Sequence, residues 1–235
     1  MGEVEQVSAL IGDIYDASLD PALWCPLLQQ IGNFVGGPAA ALYAKDLVQK
    51  TGNLFFSYGV EPEFTQNYFD KFVRFDPFTT SRFFFPVEQV ISRKDITPHE
   101  AFRQTTFFKE WANPQGWIDF VSASLEKSHV SYAECGIFRH EKDGVTDEEA
   151  RRKMHLIIPH VRRAVSIGKI VDLKKADADL FADVLDGISA GLVLVDEAER
   201  IVHCNASGLK MLEDGIVISG AGGKLTSYRR ILVTA

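Results

Sequence analysis

The chain is 235 residues long, 46% hydrophobic and 24% charged, which fits one large or two small globular domains and excludes wholesale disorder and collagen-like or mucin-like repeats. Its formal net charge of -7 excludes a phosphate-binding surface spread over the whole chain. The three cysteines, Cys25, Cys135 and Cys204, form no CxxC pair, and the acidic opening does not read as a secretory signal, so neither a disulfide framework nor secretion is expected.

Val4 to Leu19 carries Val7, Leu10, Ile11 and Ile14 at helical spacing with acids between them, which predicts an amphipathic helix. Asp20-Pro21 is a cap followed by proline at the first helical position, and the stripe Leu23, Leu27, Leu28, Ile31, Phe34 runs on to the stop at Gly36-Gly37. Ala39 to Lys45 and Leu54 to Tyr58 read as a β-hairpin turning at Gly52-Asn53. Glu61 to Phe72 is helical in spacing, Asp76-Pro77 repeats the cap-plus-proline device, and Thr97 to Glu100 reads as a capping box. Trp117 to Leu125 alternates Ile118, Phe120, Ser122 and Ser124 against Trp117, Asp119, Val121, Ala123 and Leu125. With Val130 to Phe138 it forms a long antiparallel hairpin turning near Lys127 to His129. A turn at Asp143-Gly144 and a capping box over Thr146 to Glu149 then start a long helix, with Pro159 a kink inside it.

After Gly187 the texture changes. Leu192 to Val195 and Ile201 to Cys204 read as strands around a polar turn, Asn205 caps a short helix through Leu212, and Ile216 to Ile218 is a further strand. The expected organisation is a first domain at 1–168, a helical linker at 169–176 and a second domain at 177–235.

Catalytic and metal motifs are weak throughout. Gly220 to Lys224 lacks the Ser or Thr that binds magnesium after a phosphate-loop lysine, and a plain turn is expected there. Adjacent strand residues His203 and Cys204 point to opposite faces and cannot act as base and nucleophile. His155 and His160, five apart, do not share a helix face, and no metal site is expected. The basic residues Arg151, Arg152, Lys153, Arg162, Arg163 and Lys169 read as a solvated helical face or a dimer rim rather than a nucleic-acid groove. Asp76 stands amid Phe72, Phe75, Phe78, Phe83, Phe84 and Phe85. Two readings of it stand: a helix cap beside a core, or a carboxylate at the edge of an apolar pocket that Trp111 and Trp117 help line.

The stretches LIGDIYDASLDPALW, YFDKFVRFDPFTT, FFKEWANPQGWIDFVSASL and LIIPHVRRAVSIGKIVDLK resemble the sensory half of LuxR-type helix-turn-helix regulators from α-proteobacteria, over about residues 8–215. LDGISAGLVLVDEAERIVHCNASGLKML resembles the opening of a PAS domain. The resemblance implies an α/β (α+β) fold: a GAF-like α/β/α sandwich with an antiparallel sheet, a connecting helix and a partial PAS-like domain. It implies a cytoplasmic signal-sensing module, not an enzyme, with Asp76 the carboxylate that meets a ligand amide and Phe64 and Tyr68 on the helix carrying the pocket aromatics. Phe64 stands nearest the family's helix Trp, which this chain lacks, and this speaks against an acyl-homoserine lactone. Cys204-Asn205-Ala206 does not carry the light-sensing cysteine pattern, so the cofactor is left unassigned. Nothing after Gly223 resembles a helix-turn-helix, so no DNA binding by this chain alone is expected. A homodimer is expected through Thr146 to Leu185, with Ile157, Val161, Ala164, Gly168 and Val171 as the seam. The rival classes are a dimerisation module without a ligand and an enzyme.

Overall fold

The computed structural model describes residues 2–46, 48–49, 51–216 and 218–227. The chain separates into two compact units, Met1–Lys169 and Ile170–Ala235.

In the first unit, α1 (Glu3–Ala17) turns at Asp20, whose carboxylate accepts from the Ala22 amide at 3.0 Å, into α2 (Trp24–Val35). Gly36, at φ +98°, ends α2 in the left-handed conformation that glycine adopts without strain. Strands β1 (Ala39–Asp46) and β2 (Thr51–Tyr58) form the expected hairpin, but Gly52-Asn53 is not its turn. Gly52 pairs with Lys45 inside the ladder, where the Phe69 ring comes so close that a Cβ would stand 2.6 Å from it. Next come α3 (Pro62–Asp70), the five-residue α4 (Pro77–Ser81), β3 (Ile91–Ser92) and α5 (His99–Gln104). A π-helical turn at Phe108–Ala112 leads into the hairpin of β4 (Trp117–Lys127) and β5 (Ser131–His140). The five strands pair antiparallel in the order β2-β1-β5-β4-β3.

The sheet is sandwiched. On one face α1, α2 and the first part of α6 (Glu148–Asp186) pack Leu10, Ile14, Leu28, Ile31, Met154 and Ile157 onto Leu42, Val121, Ala123, Cys135 and Ile137. On the other, α3, α4, α5 and the π-turn set an aromatic layer over the sheet. This is the α+β layered sandwich that the sequence implies, covered on both faces.

Two capping boxes do not form. The cap of α5 is Pro98, which has no side-chain acceptor. At α6 the cap is Asp147, accepting from the Ala150 amide at 2.7 Å, because Thr146 is engaged elsewhere: its amide donates to Asp119 and its hydroxyl to the Phe120 carbonyl. Most of the expected inter-subunit seam, Val171 apart, is also spent within the unit. Ile157, Val161 and Ala164 are wholly buried in its own core, and a Cβ on Gly168 would meet the Ser18 carbonyl oxygen at 3.3 Å.

In the second unit β6 (Val193–Val195) and β7 (Ile201–Cys204) form an antiparallel hairpin, followed by α7 (Ala206–Asp214), β8 (Ile218–Ser219) and β9 (Thr226–Ser227). Val217, within the expected strand, and residues 228–235, within the tail, lie outside the described residues. Asn205 organises this unit from full burial. Its Oδ1 accepts from the Leu192 and Gly208 amides, both at 2.8 Å, while its Nδ2 donates to the carbonyls of Leu185 at 2.9 Å and Ala190 at 3.0 Å.

Candidate functional site: an aromatic cavity with buried ion pairs

Side chains alternate along a strand, so the residues of β1, β4 and β5 that do not enter the first core face the aromatic layer. Between the sheet and that layer lies a cavity of about 80 Å³. Its floor is Ala41, Tyr43 and Lys45 from β1, Phe120 and Ser122 from β4, and Glu134, Gly136 and Phe138 from β5. A bulge between Trp117 and Asp119 turns Trp117 onto this face as well, where simple alternation would place it opposite Phe120. The roof is made of packed rings: Tyr68 lies tilted 5.0 Å from Trp111, Phe107 stacks on Trp111 at 5.0 Å, and Phe78 meets Phe120 of the floor edge to face at 4.5 Å.

Asp76 caps a helix and also stands at the cavity. Its Oδ1 accepts from the Phe78 amide at 2.8 Å and so caps α4, while the side chain lines the cavity. Its Oδ2 is already engaged, accepting from the Tyr68 hydroxyl at 2.5 Å and the Lys45 ammonium at 2.6 Å. Lys45 and Asp76 are a buried ion pair, their side chains 3% and 4% exposed, and Lys45 also donates to Thr79 Oγ1 at 3.3 Å. A second buried pair joins Arg82 to Glu134, with Arg82 also donating to the hydroxyl and the carbonyl of Ser122. Asp119 is a third buried carboxylate. It accepts from the amides of Arg93, Phe120 and Thr146 and so ties β4 to the start of α6.

These charges act on the phenols between them. Burial, reinforced by the Asp76 carboxylate, holds Tyr68 well above the ordinary phenol value. Burial and Glu134 do the same to Tyr43 and Tyr132. All three hydroxyls are therefore neutral, and that of Tyr68 donates to Asp76. On the opposite face of β5, burial pushes the Cys135 thiol up to about 12.

Of the residues expected from the sequence, Asp76, Tyr68, Trp111 and Trp117 come together around the cavity. Phe64 does not line it; its carbonyl accepts from the Trp111 indole at 2.8 Å and fixes that ring. Phe75 and Phe84 turn outward, and the side chain of Phe83 lies outside the described residues. Lys45, Arg82 and Glu134 carry no sequence signal of a site, because isolated charges on strands and a short helix read as solvated until their partners are known. Among the described residues no group of His, Cys, Asp and Glu could hold a metal ion, and no helix is long and apolar enough to cross a membrane. Most of the basic run on α6 is occupied within the unit: Arg151 pairs with Asp95, Arg152 with Glu3 and Glu149, Arg162 with Glu88, and Lys169 with Glu126.

No family model matches the chain, and no curated protein matches it in sequence. Solved structures do match its fold. The ligand-binding domain of VqsR from Pseudomonas aeruginosa is similar at TM-score 0.57 and 17% identity, over 71% of this chain and 97% of that one. The N-acylhomoserine-lactone-dependent LuxR-family transcription factor CepR2 from Burkholderia cenocepacia is similar at 0.52 and 13%, over 72% and 98%. At these identities the likeness establishes the fold: the first unit has the fold of these two proteins.

Proposed function

We propose that the first unit is a small-molecule sensor, the signal-receiving region of a LuxR-type transcriptional regulator. The observation that carries this is the cavity itself. One face of the sheet is solidly packed, whereas the other holds space walled by aromatic rings around a built polar network, the usual composition of a ligand pocket. The fold shared with the VqsR and CepR2 domains supports the reading. Tyr68, Trp111 and Trp117 form the contacting wall, and Asp76 acts through Tyr68 and Lys45, whose positions it sets. Nothing in the arrangement pairs a nucleophile with a base, so binding rather than turnover is its chemistry. The part of the second unit at 177–235 is read as PAS-like.

Thermal unfolding in millimolar toluene tests the sensor reading. A compact apolar body that enters the cavity raises the midpoint by mass action. Ala41→Leu, which fills the floor, is expected to abolish the rise while retaining the wild-type circular dichroism spectrum. No rise in the wild type, or an equal rise in Ala41→Leu, contradicts the reading.

A homodimer remains part of the proposal, relocated along α6. Ile170, Leu173, Leu180 and Val184 recur at three-, seven- and four-residue intervals and are all exposed, the pattern of a helix seam. Leu173→Glu is expected to convert a dimer to a monomer in sedimentation equilibrium, and a monomeric wild type at tens of micromolar removes the dimer.

A further inference from the structure

Every charge on the cavity wall is matched: Lys45 by Asp76, Arg82 by Glu134, and Asp119 by three backbone amides with the Arg93 guanidinium 3.9 Å away. A ligand bearing a full charge meets no free counter-charge there and forfeits its hydration on entry. Two donors on cavity-lining residues nevertheless lack an acceptor among the described residues: the Nε of Arg82, whose guanidinium is already paired with Glu134, and the indole of Trp117. Trp117 is 7% exposed, it lines the cavity, and its indole N–H has no acceptor among the described residues, whereas the Trp111 indole is satisfied by the Phe64 carbonyl. Buried indole N–H groups ordinarily find an acceptor, and this one has none within the described protein. The volume, about 80 Å³, admits several water-sized bodies and therefore a compact ligand rather than a long chain. The rings of Tyr68, Phe78, Phe107, Trp111, Phe120 and Phe138 present flat walls suited to a flat, unsaturated body.

Resting on the sensor reading, we propose that the ligand is a compact, uncharged aromatic compound carrying a carbonyl-type acceptor, and that Trp117 is the specificity residue that donates to it. The polar network at the Lys45 and Arg82 end is structural: it holds the floor neutral and rejects ions.

The test is a four-probe series measured by isothermal titration on the full chain: toluene, acetophenone, benzoate and benzylammonium. Acetophenone is expected to bind about tenfold tighter than toluene, the ~1.4 kcal/mol of one hydrogen bond. Benzoate and benzylammonium are expected to bind more than about 100-fold more weakly than acetophenone. In Trp117→Phe the preference for acetophenone over toluene collapses to about twofold or less. Because this is a ratio within one variant, any general loosening of the cavity cancels. Benzoate or benzylammonium binding as tightly as acetophenone overturns the neutrality argument in the wild type alone, whether or not Trp117→Phe folds. An unchanged ratio in Trp117→Phe overturns the role of Trp117. In either case toluene still binds and the sensor reading stands. If toluene and acetophenone both fail to bind, the sensor reading falls and takes this inference with it.

Discussion

Replacing Lys45 with Met isolates the energetics of the polar network. Met keeps most of the aliphatic stem but removes the ammonium, leaving the Asp76 carboxylate buried with only the Tyr68 hydroxyl and the Phe78 amide. Both side chains of the pair are at most 4% exposed, so bulk solvent does not stand in for the lost charge. Removing one member of a buried pair costs roughly 3–5 kcal/mol, a large fraction of a domain's ~5–15 kcal/mol stability. In urea, with a slope near 2 kcal/mol per molar, the midpoint falls by about 2 M. Tryptophan fluorescence is the right probe, because all three tryptophans, Trp24, Trp111 and Trp117, lie in the first unit and report its unfolding alone. The diagnostic step is Lys45→Met with Asp76→Asn. The amide oxygen can keep the α4 cap while both charges disappear, so the double variant is expected to recover at least about 2 kcal/mol of the loss. A Lys45→Met loss below about 1 kcal/mol, or strictly additive single and double variants, refutes a charge-matched cavity wall.

Further outcomes follow from the same geometry. Ile157→Ala should cost ~2–5 kcal/mol in the same urea assay, since its side chain is wholly buried in the core, whereas Leu173→Ala should leave the first unit's unfolding unchanged; equal effects would contradict the assignment of the first part of α6 to the core. Tyr43, Tyr68 and Tyr132 are held protonated by burial, so the stability they confer is complete below the unfolded phenol value near ~10 and is lost as pH rises above it. Their phenolate absorbance should therefore appear together with unfolding, and titration in the folded protein would contradict their burial. Cys25 is exposed and should react readily with a thiol reagent at pH 8. Cys135, with its thiol pushed up to about 12, should stay unmodified until denaturant is added; equal rates would be inconsistent with the packing of β5. In gel-shift titration the chain alone should not bind an operator specifically, consistent with its net charge of -7; salt-sensitive nanomolar binding would contradict this.

How much of this was legible in the sequence follows from how local each signal is. Asp20-Pro21, Gly36, Asp76-Pro77 and Asn205 act within a few residues of themselves, and each sits where its side chain or φ angle requires. The two hairpins and α6 announce themselves through periodicity. Signals that depend on distant partners misled. Thr146 has the spacing of a capping box, but Asp119 and Phe120, 27 and 26 residues earlier in the chain, claim it first. Gly52-Asn53 reads as a turn because a glycine admitted for the close approach of Phe69 has the same letter as one needed for a left-handed φ. The apolar stripe Ile157, Val161, Ala164 faces the unit's own core, and periodicity alone cannot say which surface a stripe meets. The polar half of the cavity was the least legible part. Lys45 lies 31 residues from Asp76, and only the fold brings them together.

The central claim, that a ligand enters this cavity, is tested most directly by fluorine NMR of protein labelled with 5-fluorotryptophan and titrated with acetophenone. The three tryptophans divide cleanly. Trp111 and Trp117 line the cavity, while Trp24 is buried in the core on the opposite face of the sheet and stacks on Phe56 at 5.9 Å. Saturable movement of the Trp111 and Trp117 resonances with Trp24 unmoved is the predicted result. Resonances that do not move, or a Trp24 signal that moves as far as the other two, would contradict it.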